Sequence, residues 1–455
     1  MSTTVDRVGS TGGHVNGRDA VGAGAIEAPR VAAPESAGPP SVRIRSQSGW
    51  ARTFAAMRHR DFAMMMAGTL PAMLAMQMGM IATGYLAFAL TGSATALGLM
   101  GLAWGIPMLS LSLIGGVVAD RVPRRTILLA TQATIGLAAV INAVLVHTGW
   151  LQIWHLYAVA LLQGTAFAFN MPARQALSAD IVGREDLANA MALFNSNMNL
   201  SRVVGPAIAG FLIAVPAIGI GGVFTMMAAA YVVVLLMFWQ IRGGRERTGH
   251  GGGSGIEQLR VGLAYIGSNR KLLLFMTLGF IPLALGMPYQ MLMPAFAAGV
   301  LNEGPEGLGL LNAAAGVGAL IGTLALASLG NFAEKARLQT YIGITFGLSL
   351  LLFGLAPSFL AAMLILPILG GASASYMALN NTLVMEQTPR EFYGRVMSVY
   401  MMTFSLMPLA SVPFAALVDQ IGARPTLAAA GALLAYIVAV VAFGNRIGRR
   451  ASPAA

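Results

Sequence analysis

The sequence predicts an all-α integral membrane protein with twelve transmembrane helices in two six-helix pseudo-repeats. Three observations carry that reading. Of 455 residues, 56% are hydrophobic and 10% charged, against about 25% charged in soluble domains. Between Phe62 and Gly444, apolar runs recur that can each cross a hydrocarbon core, which takes about 20 helical residues. The runs are continuously apolar, with scattered Gly and Pro, and lack the alternation of a membrane β-strand.

The expected spans are 62–90, 95–118, 126–147, 153–177, 188–213, 218–240, 271–296, 307–330, 338–356, 358–383, 394–418 and 425–444. Residues 1–50 are rich in Gly, Ala, Pro, Ser and Arg without periodicity or an apolar signal-peptide core, and read as a disordered cytoplasmic tail. Trp50 to Arg60 mixes Trp50, Phe54 and Met57 with Arg52, Arg58 and His59, which suits an interfacial amphipathic helix or a simple basic flank. The break at 241–270 contains GHGGGSG, a flexible-linker composition. It divides an N-terminal half, 51–240, from a C-terminal half, 271–444, followed by a short tail, 445–455. A weak repeat supports the division: Gly164, Leu177, Arg184, Glu185 and Met191 recur 206 residues later as Gly370, Leu383, Arg390, Glu391 and Met397.

The net charge of +11 would suggest nucleic acid for a soluble chain, but here the placement of the charges is informative. Of the 28 Lys and Arg, all but Arg202 and Arg424 fall on one side when twelve spans alternate. Arg174 and Arg184 are counted there as loop residues. The loops TGSATA, 91–96, and NEGPEG, 302–307, carry no basic residue. The positive-inside rule then places both termini in the cytoplasm and the protein in the cell membrane. There is no cysteine, and the five histidines show no metal-ligand spacing. No nucleophile, base and orienting-group cluster lies in the spans. No metal, cofactor, nucleic-acid partner or enzymatic activity is expected.

Two segments stand out within this frame. In GGVVADRVPRR, Gly116 offers a place for close helix approach. Asp120 sits at a membrane boundary beside Arg121, Arg124 and Arg125, and Pro123 stiffens the hairpin. In SRVVGPAIAG, Ser201 to Gly210, Pro206 removes a helix hydrogen bond while small residues permit tight packing in lipid. Arg202 lies within that span, where insertion costs about 2.5–3.5 kcal/mol. Asn195, Asn199, Arg202 and Pro206 share one helix face, which should look into protein or a cavity. Arg202 either attracts an anionic substrate group or modulates a nearby acid, or it pins neighbouring helices.

Gln77, Gln163, Ser373, Ser375, Asn380 and Asn381 are further polar residues in spans, each suited to helix pairing and together to a weakly polar cavity. No Asp or Glu lies mid-span; Asp61, Asp120, Glu386 and Asp419 sit near ends. Seven methionines crowd the first span, as an adaptable wall or as lipid-facing filler.

With LTGSATALG at 90–98 and GRVMSVY at 394–400, these segments resemble the major facilitator superfamily, in the exporter branch that includes enterobactin exporters and bacterial macrolide efflux proteins. The resemblance covers about residues 55–445. It implies gating by Gly116, Asp120, Arg121, Arg124 and Arg125, although Pro123 replaces the usual Gly. It implies an antiporter-type fifth helix carried by Gly205, Pro206 and Gly210, while Ala192, Ser201 and Ala209 stand where that pattern has Gly. The fourth-helix pattern keeps Gln163 and Gly164 but has Ala160 in place of its Arg, which weakens transfer of the relatives' proton coupling.

The implied function is alternating-access efflux of a small amphipathic molecule, a drug-like compound or a siderophore, by proton antiport in a monomer. An importer or facilitator of a metabolite is the alternative, and a non-transporting sensor a third. The loop near Gly330 to Arg337 reads as a decayed repeat of the first hairpin. AALVDQIGAR, Ala415 to Arg424, reads as an outward-facing look-alike.

Overall fold

The computed structural model describes residues 55–242, 255–330, 334–389, 391–405 and 407–450, so the expected tail 1–50 lies outside the described residues. In lipid, a backbone amide without an internal partner costs several kcal/mol, which leaves helices as the solution for these apolar runs. Among the described residues there are helices and no strands. In chain order they are α1 (Arg60–Thr91), α2 (Ala94–Arg121), α3 (Arg124–Thr148), α4 (Ile153–Ala214), α5 (Gly219–Trp239), α6 (Gly255–Ser268), α7 (Arg270–Leu285) and α8 (Pro288–Gly299). There follow α9 (Pro305–Ser328), α10 (Lys335–Gly354), α11 (Phe359–Glu386), α12 (Tyr393–Ser405), α13 (Met407–Ile421) and α14 (Ala423–Arg450). A 3₁₀ turn, Ala55–Arg58, precedes α1.

By length and composition, nine segments among the described residues can cross a membrane, with Arg270–Gly299 counted as one. The other three expected spans fall on helices that do not meet that measure. Spans 153–177 and 188–213 both lie in α4, whose 62 residues would reach about 93 Å if straight, three times a hydrocarbon core. Gly183, at φ 70° and ψ −175°, breaks it into two limbs, in a left-handed conformation that glycine adopts without a Cβ clash. The limbs run in opposite directions beside α1. Arg174 bonds Thr69 and Ser178 meets Met65, whereas Asn189 accepts from the Ala56 amide and Gly205 packs on Gln77. The span 394–418 is shared by α12 and α13.

Other boundaries differ from expectation for local reasons. The seventh span divides after Leu285, because Pro282 and Pro288 each remove a helix donor. The linker contains a helix the glycine-rich composition did not announce. Ile256, Leu259, Leu263 and Ile266 follow helical spacing, and α6 packs on α12 with Tyr265 stacked on Phe392 at 4.2 Å between ring centroids. The last helix continues to Arg450, past the expected end at Gly444.

Helix pairing recurs along the chain. The helix α2 packs on α4 and α9 on α11, while α3 packs on α5 and α10 on α14. The repeat-related glycines have matching roles: a Cβ on Gly164 would overlap the Trp104 carbonyl of α2, and one on Gly370 the Ala315 carbonyl of α9. Two seams join the first helix group, α1–α5, to the second, α7–α14: α4 against α9 and α2 against α13. Exposed apolar residues run in helical stripes, as at Leu348, Leu352 and Leu355 or Leu360, Leu364 and Ile368. Exposed Trp150 and Trp154 mark one end of the bundle and Trp239 the other, as in an interfacial aromatic belt. The first-span methionines point more than one way, with Met65, Met73 and Met78 buried and Met80 exposed.

Because carbonyl oxygens cannot retreat without moving a helix, Gly164→Val and Gly370→Val should each destabilise the protein by about 1–3 kcal/mol. A lowered melting temperature in detergent, relative to an equally expressed Gly116→Ala control, is the expected measurement.

Candidate functional site

At the basic end, the hairpin arginines bind within the first helix group. Arg124 donates to the Asp180 carboxylate and to the Ala176 carbonyl, 3.2 Å away. Arg125 donates to the Trp239 carbonyl. Arg121 is exposed, and the Asp120 side chain lies outside the described residues. The close-approach glycine is Gly115, whose Cβ would overlap the Ala168 carbonyl; Gly116 faces open space, contrary to expectation. The difference is one of helix phase, since neighbouring residues are turned by about 100°.

The second group holds an equivalent pair, Lys335 with Glu386. Glu386 stands 206 residues after Asp180, the repeat offset, and each pair joins the start of one helix, α3 or α10, to the end of the segment that follows it, the first limb of α4 or α11. The loop expected to be decayed therefore keeps its ion pair. Matching the acids at the repeat offset would have revealed both, but they lie outside the basic loop.

At mid-depth, Ser201 is buried and bonds Asn197 at 3.5 Å. Gly205 faces α1, with its Cβ position 2.6 Å from the Gln77 Cβ. Gly210 crosses Gly309 of α9 with 2.6 Å between its Cβ position and the Gly309 Cα, and the buried Pro206 offers its carbonyl to the same contact. Proline and small residues thus bring two backbones together where the helix groups meet.

The expected cavity residues divide. Arg202 is exposed on α4, while its carbonyl and Val203 touch Gly316 of α9. Asn195 is exposed and Asn199 half-buried, whereas Pro206 on the same face is buried, as is Asn197 on the opposite face. Gln77 and Gln163 are half-buried. Asn380 lines no open space: it is fully buried, accepts from Gln339 at 2.6 Å and donates to Tyr400 at 3.2 Å, tying α10, α11 and α12 together. The Asn381 carbonyl oxygen is buried without a partner among the described residues.

Arg174 is the main correction to the charge placement. It is a buried side chain, not a loop charge, at 2% exposure. It donates to Thr69 of α1 at 2.8 Å and to Asn170 at 3.2 Å, and lies over the Phe238 ring of α5 at 5.4 Å. Asn170 in turn donates to Thr131 of α3 at 2.7 Å. One guanidinium fastens four helices of the first group, and its position inside the expected span 153–177 was the available sequence signal.

At the opposite end, Asp419 closes the α2–α13 seam. Ser93 holds the N-cap position of α2, but its hydroxyl does not cap its own helix. It donates to Asp419 at 2.6 Å, and the carboxylate also accepts the Ala94 and Thr95 amides at 2.7 and 2.9 Å. A carboxylate from another helix thus satisfies the orphan donors and positive end of α2. Gly98 lies one turn further on, with its Cβ position 2.9 Å from the Ala415 side chain. Burial disfavours the charged form of Asp419, but the bonds from Ser93, Thr95 and Ala94 outweigh it and hold the carboxyl below the ordinary range.

Comparison with known proteins gives this architecture a family. Residues 51–450 match the family described as transmembrane secretion effector. The chain belongs to the transmembrane secretion effector family. This family lies in the exporter branch of the major facilitator superfamily, and its members are transporters, not enzymes. This secretion effector is 25% identical to macrolide efflux protein A of Streptococcus pyogenes over 360 residues, covering 78% of this chain and 89% of that protein. It is 28% identical to the enterobactin exporter EntS of Shigella boydii serotype 18 over 320 residues, 68% of this chain and 70% of that one. Its fold is similar to that of the nucleoside transporter NupG, with TM-score 0.64 at 12% identity over 84% of this chain and 98% of that one. A bacterial homologue of the human lysosomal transporter Spinster, crystallised inward-facing and unoccupied, gives TM-score 0.66 at 15% identity, covering 87% and 99%. The secretion effector is accordingly a multi-pass membrane transporter.

Arg174→Met keeps length and apolar volume but strips Thr69 and Asn170 of their partner, so a loss of about 2 kcal/mol is expected in thermal unfolding. Asp419→Ala should weaken the seam by about 1 kcal/mol, and the chain's lack of cysteine allows a clean readout. A single cysteine at Ala415 should react with a water-soluble thiol reagent about fivefold faster in the Asp419→Ala background. Since the folded carboxyl is depressed, acid should mimic the substitution only as pH falls below the ordinary value of about 3.9, and the seam should be stable above it.

Proposed function

We propose that this secretion effector moves a small amphipathic molecule out of the cell by alternating access of two six-helix repeats, with proton entry as the driving step. The observation that carries the reading is the pairing of helices across the two seams: α4 meets α9 just as α2 meets α13, and each helix pair in the first group has a counterpart in the second. Two similar bodies hinged at two seams suit a rocking motion about a site between them.

The positive-inside distribution supports cytoplasmic termini in the cell membrane. On that orientation, the contacts of Gly210 with Gly309, Gly98 with Ala415 and Asp419 with Ser93 close the outer face. Gly116, Asp120, Arg121, Arg124 and Arg125 then belong to the cytoplasmic gate, where Arg124 with Asp180 and Lys335 with Glu386 keep each half rigid as it tilts. Gln77, Gln163, Asn195, Asn199 and Arg202 contribute polar groups toward the inner space, and the chain acts as a monomer.

The glycine and proline crossing at Ser201–Gly210 favours export over the importer alternative, on its resemblance to antiporter helices. The efflux relatives point the same way, and their cargoes, a macrolide and enterobactin, are the first probes to try. In everted vesicles, ATP-independent accumulation of one of them should require an acidic lumen and fall at least about tenfold when the pH gradient is collapsed. Accumulation that ignores the gradient would remove proton antiport, and uptake by intact cells instead would favour the importer.

A further inference from the structure

We infer that the cargo is an anion, bound through Arg202 between the two helix groups; the inference rests on the efflux reading and narrows its substrate class. The ligand fits as a carboxylate, sulfonate or phenolate head on an apolar, preferably aromatic, body.

The argument begins with where Arg202 is. On one side of its helix, Gly205 packs on Leu74 and Gln77 of α1. On the other, the Arg202 carbonyl and Val203 lie against Gly316 of α9, both 3.0 Å from its Cβ position. The side chain is therefore flanked by α1 of the first group and α9 of the second, yet it is exposed. A side chain bounded by helices of both groups and still solvent-accessible faces the space between them, not the lipid.

The second step is what Arg202 lacks. A guanidinium offers five N–H donors, and among the described residues none of those on Arg202 has a hydrogen-bond or ion-pair partner. The contrast with Arg174 is direct, since that arginine is buried and its bonds are made within the protein.

The third step is the absence of a competing acid. No Asp or Glu occurs in residues 187–245, 258–302, 307–333, 335–385 or 392–418. Those stretches supply the second limb of α4 and most of α7–α13. A lone positive charge in a low-dielectric, carboxylate-free space attracts an anion and repels a cation, and the planar guanidinium also stacks on aromatic faces.

The test uses the purified full-length protein and two probes of similar shape, 2-naphthoate and 2-naphthyltrimethylammonium, in equilibrium dialysis. The anion should bind at least about tenfold more tightly than the cation, the scale of one hydrogen-bonded charge. Arg202→Gln should abolish that preference and Arg202→Lys should keep part of it, with size-exclusion profiles confirming that both variants are folded. Equal binding of the probes, tighter binding of the cation, no binding of either, or an unchanged preference in Arg202→Gln would each overturn the anionic assignment. Vesicle transport separates the two readings. Anion binding without export would sink the efflux proposal and leave the site standing, whereas export that is indifferent to Arg202 would do the reverse.

Discussion

Hydrocarbon offers no partner to a polar group, and the placement of the buried charged and hydrogen-bonding side chains among the described residues follows from that. Among the described residues at depth, some such groups are consumed by the fold and others have no partner within it. Arg174 and Asn380 are of the first kind. Each is buried and fastens several helices of its own group. Arg202 is of the second kind, with its donors uncommitted.

The same constraint shapes the seams between the helix groups. Apolar side chains gain little from leaving lipid for another apolar surface, so helix association depends on close packing. The Gly210–Gly309 crossing and the contact of Gly98 with Ala415 supply this at two places. Asp419 adds a polar element that an apolar seam cannot, because the exposed amides at the start of α2 require an acceptor. The seam is thus closed by one carboxylate and close glycine contacts.

An anionic cargo also bears on the energetics of export. In a cell that is negative inside, moving one negative charge outward gains about 2.3 kcal/mol per 100 mV. The membrane potential would then contribute alongside proton entry, which accords with a set of spans that lack a mid-depth carboxylate to carry the proton.

Much of the protein was legible in its sequence. Apolar run length is a one-dimensional property, so the all-helical, membrane-spanning class could be read from it. The Gly-Pro crossing was legible because small residues at fixed spacing have few other uses. The errors came from properties that depend on neighbours. A run of apolar residues does not reveal that Gly183 breaks one long helix, or that Gly115 and not Gly116 meets the next backbone. Partners distant in the chain decided the rest: Asp180 for Arg124, Glu386 for Lys335, Thr69 for Arg174 and Ser93 for Asp419. The sequence by itself determined a membrane-embedded helical transporter with its charges gathered at one end. Only the tertiary structure decided which arginine is locked into the fold and which has no partner among the described residues, because that depends on donors and acceptors brought together from separate helices.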